Sequence, residues 1–172
     1  MGAYLMLASG ASATTPTILG SSTQSTHTNW IPIESWSMGS TRPVVPQGGS
    51  EETRHRGEAE IGELSFHKVV DKSSVYLLQN LLQGTSLGTM QLDMTTQESG
   101  TSVVIYFTII GTNVRITNHS LTGAGLEGAV AQETFTLNAT SLTWTYTYYS
   151  PEDGSPTPST VSFNLDTVVS GT

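Results

Sequence analysis

The sequence predicts a mainly β protein with one short helix fastened to it. Three observations carry that prediction. Apolar residues alternate with polar ones along most of the chain, one stretch from Ser65 to Gly84 switches to helical spacing, and clusters of Gly, Pro, Ser and Thr separate the runs. A chain of 172 residues fits one domain, 1–172. That length buries about two-thirds of the surface an unfolded chain exposes. Cysteine is absent, so neither disulfides nor thiolate metal sites contribute.

The first element expected is a strand at Ala3–Leu7. The opening "MGAYLMLASGASA" ends in Ala11-Ser12-Ala13, a pattern a signal peptidase accepts. No Lys or Arg precedes Arg42, however, and the apolar run Ala3–Ala8 is shorter than the ~7–15 residues of a secretory h-region. Residues 8–29 are dominated by Ser, Thr, Gly and Ala, carry no formal charge, and read as a long surface connection. "WIPIESWSMG" then begins a strand, with Ile31, Ile33, Ser35 and Ser37 on one face and Trp30, Pro32, Glu34 and Trp36 on the other. Pro32 favours a sheet edge because it donates no ladder hydrogen bond. From residue 40 to 57 the sequence "STRPVVPQGGSEETRHRG" mixes prolines, glycines and both charge signs, which reads as a long loop.

In "EAEIGELSF" the apolar parity flips between Ile61 and Leu64, suggesting a bulge near Gly62. The helix is expected at about 73–83, with Asp71 or Ser73 as N-cap and Gly84 in the left-handed position past its end. Val75, Leu78, Leu81 and Leu82 form its apolar stripe. Burying them is worth ~1.5–3 kcal/mol each, so the helix exists because of the sheet it covers. "TMQLDMTTQ" alternates with Met90, Leu92 and Met94 inward and Gln91, Asp93 and Thr95 outward. "ESG" at 98–100 turns into "TSVVIYFTII", apolar on both faces and so central, with the deepest burial expected there. "VRITNHSL" follows, and "QETFTLNATSLTWTYTYY" changes parity, implying a bulge near Thr140. Pro151 to Pro158 form a turn cluster before a last strand through Val161, Phe163 and Leu165.

Charge narrows the function. The formal net charge is −8, and the six Lys and Arg are scattered, so no basic patch is present to neutralise phosphates and nucleic acid is not an expected partner. No run approaches the ~20 apolar residues that span a bilayer. Gly84-Thr85-Ser86-Leu87-Gly88 matches G-x-S-x-G, but the nucleophile elbow joins a strand to a helix, whereas this run leaves a helix and enters a strand. Gly123 to Gly128 matches G-x-G-x-x-G, but "ETFTLNA" follows where a dinucleotide needs a helix N-terminus. His55 and His67 lack a third ligand at a recognisable spacing. Glu51-Glu52 and Glu152-Asp153 sit in turn-like, solvated contexts. Trp30, Trp36, Trp144, Tyr146, Tyr148 and Tyr149 suit either core packing or a carbohydrate platform. The 40–57 loop suits docking onto another protein surface.

Three segments resemble those of Hcp, the hemolysin-coregulated tube protein family of bacterial type VI secretion: "HTNWIPIESWSMG" at 27–39, "LSFHKVVDKSSVYLLQNLLQG" at 64–84 and "LTWTYTYY" at 142–149. The similarity runs from the "AYL" start to the final strand. Its most specific part is the pattern Phe66, Lys68, Asp71, Ser74 and Leu77, supported by Trp144 and Tyr146. Val75 stands where the family usually has proline, and the 8–29 and 122–132 loops are unusually rich in Gly, Ser and Thr. The resemblance implies a two-sheet β-barrel-like domain flanked by one helix. It also implies a non-enzymatic structural protein without cofactor or metal, assembling into a hexameric ring that stacks into a tube and carries or protects effectors. The 40–57 loop matches the family's extended loop, which makes Arg42, Glu51, Glu52, Arg54 and Arg56 the expected contacts between protomers or rings. Sheath, spike and effector proteins are the implied partners. Localisation would be the bacterial cytoplasm before assembly, then the exterior by way of the type VI machinery. Two further readings stand beside this one: an Hcp-like β module acting as a non-tube binder or adhesin, and a serine hydrolase using Ser86.

Overall fold

A computed structural model of the chain describes residues 2–10, 13–45, 55–56, 58–97 and 103–165. It is mainly β, with one helix, α1 (Ser74–Gln83), among the described residues. The strands in chain order are β1 (Gly2–Ala8), β2 (Ile31–Ile33), β3 (Ser35–Ser37), β4 (Ser40–Thr41), β5 (Val44–Val45), β6 (His55–Arg56), β7 (Glu60–Ile61) and β8 (Leu64–Val69). After the helix come β9 (Leu87–Gln97), β10 (Val103–Thr122), β11 (Gln132–Asn138), β12 (Ser141–Tyr149) and β13 (Pro156–Asn164).

The hydrogen-bonded order is β2-β1-β9-β10-β11-β8-β3. Both ends of that path lie on one short segment, because β2 and β3 are separated only by Glu34. The sheet therefore curls back to where it began, and the Glu34 amide closes the seam by donating to the His67 carbonyl at 2.9 Å. This is the barrel-like pair of sheets expected from the resemblance. The twenty-residue β10 makes the curl possible. Its residues 107–112 pair with β12 and its residues 115–122 with β11, so one strand passes from the first sheet into the second. β12 also carries β13, which has no second neighbour among the described strands.

Alternation puts the core inside the curl: Leu5 and Leu7 of β1, Ile31 and Ile33 of β2, Leu64 and Phe66 of β8, Met90 and Leu92 of β9, Ile109 of β10, Phe135 and Leu137 of β11. Several details depart from the sequence expectation. Trp36 packs on this core although it shares parity with exposed Glu34, because the corner at Glu34 resets the pleat. The parity flip near Gly62 is a break between β7 and β8, where the Gly62 amide bonds the Gly39 carbonyl at 2.8 Å. The flip near Thr140 is likewise a corner between β11 and β12, and both strands lie on the same side of β10. β13 starts at Pro156, inside the supposed turn cluster, with Pro156 and Pro158 on an edge strand that tolerates missing amides. β10 is central as expected but is not the most buried strand, since Val103 and Ile110 are both exposed.

The 8–29 segment is not a purely surface connection. Ile18 is buried and bridges Leu7, while His27 and Trp30 lie under 10% exposed against the outer face of β1, with Met6 and Ala8. The outer face of β9 is thereby roofed, and Asp93 and Thr95, expected outward, are buried. On α1 the buried stripe is Ser74 and Leu77, with Leu81 packed at its margin. Val75 and Leu82, assigned to the stripe from spacing, are 68% and 77% exposed. Gly84 does take the left-handed position, φ +64°, with its amide near the Asn80 and Leu81 carbonyls.

Candidate functional site

The 40–57 segment begins and ends as a stepped antiparallel ribbon. Ser40 pairs with Ile61 and Thr41 with Glu60, then Val44 pairs with Arg56 and Val45 with His55. These two short ladders, separate from the main sheet, tie its ends together and form the base of an arm. Of the expected contact residues, Arg42 is exposed between β4 and β5, and Arg56 lies in β6 opposite Val44. Glu51, Glu52 and Arg54 fall outside the described residues.

The Phe66, Lys68, Asp71, Ser74, Leu77 pattern is a buried anchor that joins α1 to the sheet. Phe66 stacks on Phe135 of β11, with ring centroids 5.2 Å apart. Lys68 alternates onto the same face of β8, so its ammonium is 1% exposed. It would be prohibitively costly there alone. It donates to Asp71 Oδ1 at 2.9 Å, to the Val69 carbonyl at 2.9 Å and to Ser74 Oγ at 3.3 Å, and it pairs with Glu133 Oε1 of β11. Ser74 Oγ donates to the same Glu133 oxygen at 2.7 Å, and His119 Nε2 of β10 lies 2.8 Å from Glu133 Oε2. The first turn of α1, β8, β10 and β11 thus meet at one charge cluster.

Asp71 fastens a further element. It accepts from the Ser73 amide at 2.9 Å and the Ser21 amide at 3.0 Å, tying the N-terminal connection to the start of the helix. Burial alone pushes its carboxyl pKa up. Bonds from Lys68, from the Ser73 hydroxyl and amide, and from Ser21 outweigh that and bring it down to about 2. Ser73 occupies the N-cap position without making the side-chain cap, since its hydroxyl is spent on Asp71.

Sequence reading missed a second polar cluster outside the barrel. His27 Nε2 lies 3.0 Å from Asp93 Oδ2, with both side chains at most 2% exposed. Thr108 donates to Asp93 Oδ1 at 2.8 Å, and Gln91 reaches both oxygens at 3.1 Å. Tyr4 stacks on the imidazole and Trp30 meets it edge-on, each at 4.7 Å. The available signal was a lone Asp in an alternating strand together with a histidine in an otherwise uncharged loop. Only the fold pairs them across 66 residues.

The enzyme-like motifs resolve into structural roles. Ser86 donates to Asn113 Oδ1 at 3.0 Å rather than to an imidazole, while His119 is engaged with Glu133. Gly84 is the helix cap. At Gly88 a Cβ would meet the Gly10 backbone at 2.1–2.3 Å, so close chain approach demands glycine. Gly123 to Gly128 form an exposed hairpin loop between β10 and β11. His67 lies 3.3 Å from Glu34, both side chains well exposed, and no group of three potential metal ligands occurs among the described residues. The His55 side chain lies outside what is described. The tryptophans do not form a platform, because Trp30 packs outside the barrel and Trp36 and Trp144 pack against its core.

A family model described as "Type VI secretion system effector, Hcp" matches residues 4–146. Among solved structures, a type six secretion system protein superposes with a TM-score of 0.80 at 22% identity, covering 96% of each chain. Hcp1 from Salmonella typhimurium gives 0.72 at 17% identity, covering 96% of this chain and 95% of that one. An Hcp1 protein from E. coli gives 0.70 at 18% identity, covering 96% and 99%. No curated protein matches the chain by sequence.

Proposed function

From the premise that this chain belongs to the type VI secretion Hcp family, we propose that it is a non-catalytic tube component whose protomers close into hexameric rings. The rings stack, and their bore carries or shelters exported effectors. The observation that supports this most directly is the architecture itself. A curled sheet braced by one helix leaves β13 with β12 as its one neighbour among the described strands, and the laddered arm is paired separately from that sheet. A sheet edge and a laddered arm are two different surfaces, and contacts between unlike surfaces generate rings when the rotation closes. In this reading the chain is one domain, and Arg42, Glu51, Glu52, Arg54 and Arg56 of the arm touch the neighbouring protomer or ring. The protein is made in the bacterial cytoplasm and leaves with the type VI machinery, meeting sheath, spike and effector proteins on the way.

Mass photometry of the purified chain at low salt, with light scattering at tens of micromolar, tests the proposal. The expected species has about six times the 18.3 kDa mass of the chain. A monomer throughout that range would remove the ring.

A further inference from the structure

One surface is not explained by barrel, anchor or arm. Where β9 leads into β10, a cleft of about 400 Å³ is lined by Thr96, Tyr106, Tyr146, Thr147, Tyr148 and Tyr149. Tyr146 and Tyr148 are two residues apart on β12 and so stand on one side of it, and the two residues are 49% and 52% exposed. Tyr106 occupies the irregularity between Ile105 and Phe107. Tyr149 is held in place because its hydroxyl donates to the Ile105 carbonyl at 2.9 Å. The hydroxyls of Tyr106, Tyr146 and Tyr148 have no protein partner among the described residues. Further along β12 and β13, two hydroxyl pairs satisfy each other, Thr143 with Ser162 at 2.8 Å and Thr145 with Thr160 at 3.0 Å.

We propose that this tyrosine cleft binds a neutral carbohydrate chain. The chemistry of the lining selects that ligand. Each lining side chain joins an apolar surface to a hydroxyl, which matches a sugar ring with C–H faces to stack and hydroxyls to bond. Among the described residues no carboxylate, ammonium, guanidinium or imidazole lines the cleft, and residues 103–114 and 134–151 contain no Asp, Glu, Lys, Arg or His. Charged polymers therefore find no counter-ion here. No aliphatic side chain offers the kind of apolar socket in which a protein partner buries an anchor. Two half-exposed rings on a rigid strand provide stacking area with little ordering cost on binding.

The test is saturation-transfer NMR of the full chain with maltohexaose, cellohexaose and chitohexaose, and with oligogalacturonate as the charged control. Transfer to at least one neutral oligomer and none to the charged control is expected. The paired substitution Tyr146→Ala with Tyr148→Ala should weaken binding roughly tenfold or more. The pair Tyr146→Phe with Tyr148→Phe keeps the stacking and should weaken it less. Circular dichroism establishes that both variants keep the sheet. Absence of transfer to every neutral oligomer overturns the proposal, as does transfer that survives the alanine pair in a folded protein. A native chain without transfer whose alanine pair changes only the oligomer mass would identify the cleft as a protein interface and overturn it as well.

Discussion

Lys68 shows how one residue can decide the stability of several elements. Its ammonium is held by Asp71, Glu133, Ser74 and the Val69 carbonyl, so removing it strands a buried Glu133 carboxylate beside Ser74 and His119. Breaking one partner of such a pair costs ~3–5 kcal/mol, whereas replacing both with apolar groups is often neutral. Lys68→Met is therefore expected to lower unfolding stability in urea by that amount, and adding Glu133→Leu should recover much of it. A loss under ~1 kcal/mol for Lys68→Met would contradict the anchor. Asp71 makes the same cluster sensitive to acid. Its folded pKa lies near 2, below the ordinary value of 3.8, so its contribution is fully present above pH 3.8 and is lost as pH falls toward 2. The stability gap between the native chain and Asp71→Asn should be widest above that value and shrink through this window. A gap that stays constant from pH 5 to pH 2 would exclude Asp71 as its source.

Among the elements, α1 separates spacing from packing. Four aliphatics at helical intervals fit more than one stripe, and the docking angle on the sheet chose the one centred on Leu77, which is fully buried. Leu77→Ala should cost ~2–5 kcal/mol. Leu82→Ala and Val75→Ala should each stay within ~0.5 kcal/mol, because those side chains already face water. Equal losses at all three positions would mean that the helix sits differently on the barrel. β9 teaches a related lesson. Its alternation is as regular as expected, yet both of its faces are covered, one by the core and one by the 20–30 segment pinned through His27 and Asp93.

For the whole molecule, the arm is where assembly should respond to charge. Reversing Arg54 and Arg56 to Glu is expected to reduce the oligomer fraction in mass photometry. Added salt should narrow the difference from the native chain, because screening removes contacts between exposed charges. Assembly unchanged by the reversal would place the interface elsewhere. Net charge has a second consequence at this scale. The formal charge of −8 resides mainly on the connections outside the 40–57 arm, whose three Arg outnumber its two Glu, while β12 and β13 carry none. The body of the sheet thus presents hydroxyls and tyrosines while the connections carry the ionic character.

Much of this architecture was legible in the chain itself, because alternation and its single interruption are local properties. The β class, a strand at Ala3–Leu7, a helix capped by Gly84 and the central place of the run that opens β10 all follow from side-chain period and turn chemistry, whereas its unbroken continuation through residues 113–122 does not. The Lys68 motif was visible as a family pattern, though not as an ion cluster. Folding alone could settle which apolar parity faces inward after a corner, as at Trp36, and which outward strand face acquires a roof, as at Asp93. It alone could bring His27 to Asp93 or Glu133 to Lys68. Those outcomes depend on contacts between residues dozens of positions apart, whose energies are set by burial and partner geometry that no local pattern encodes.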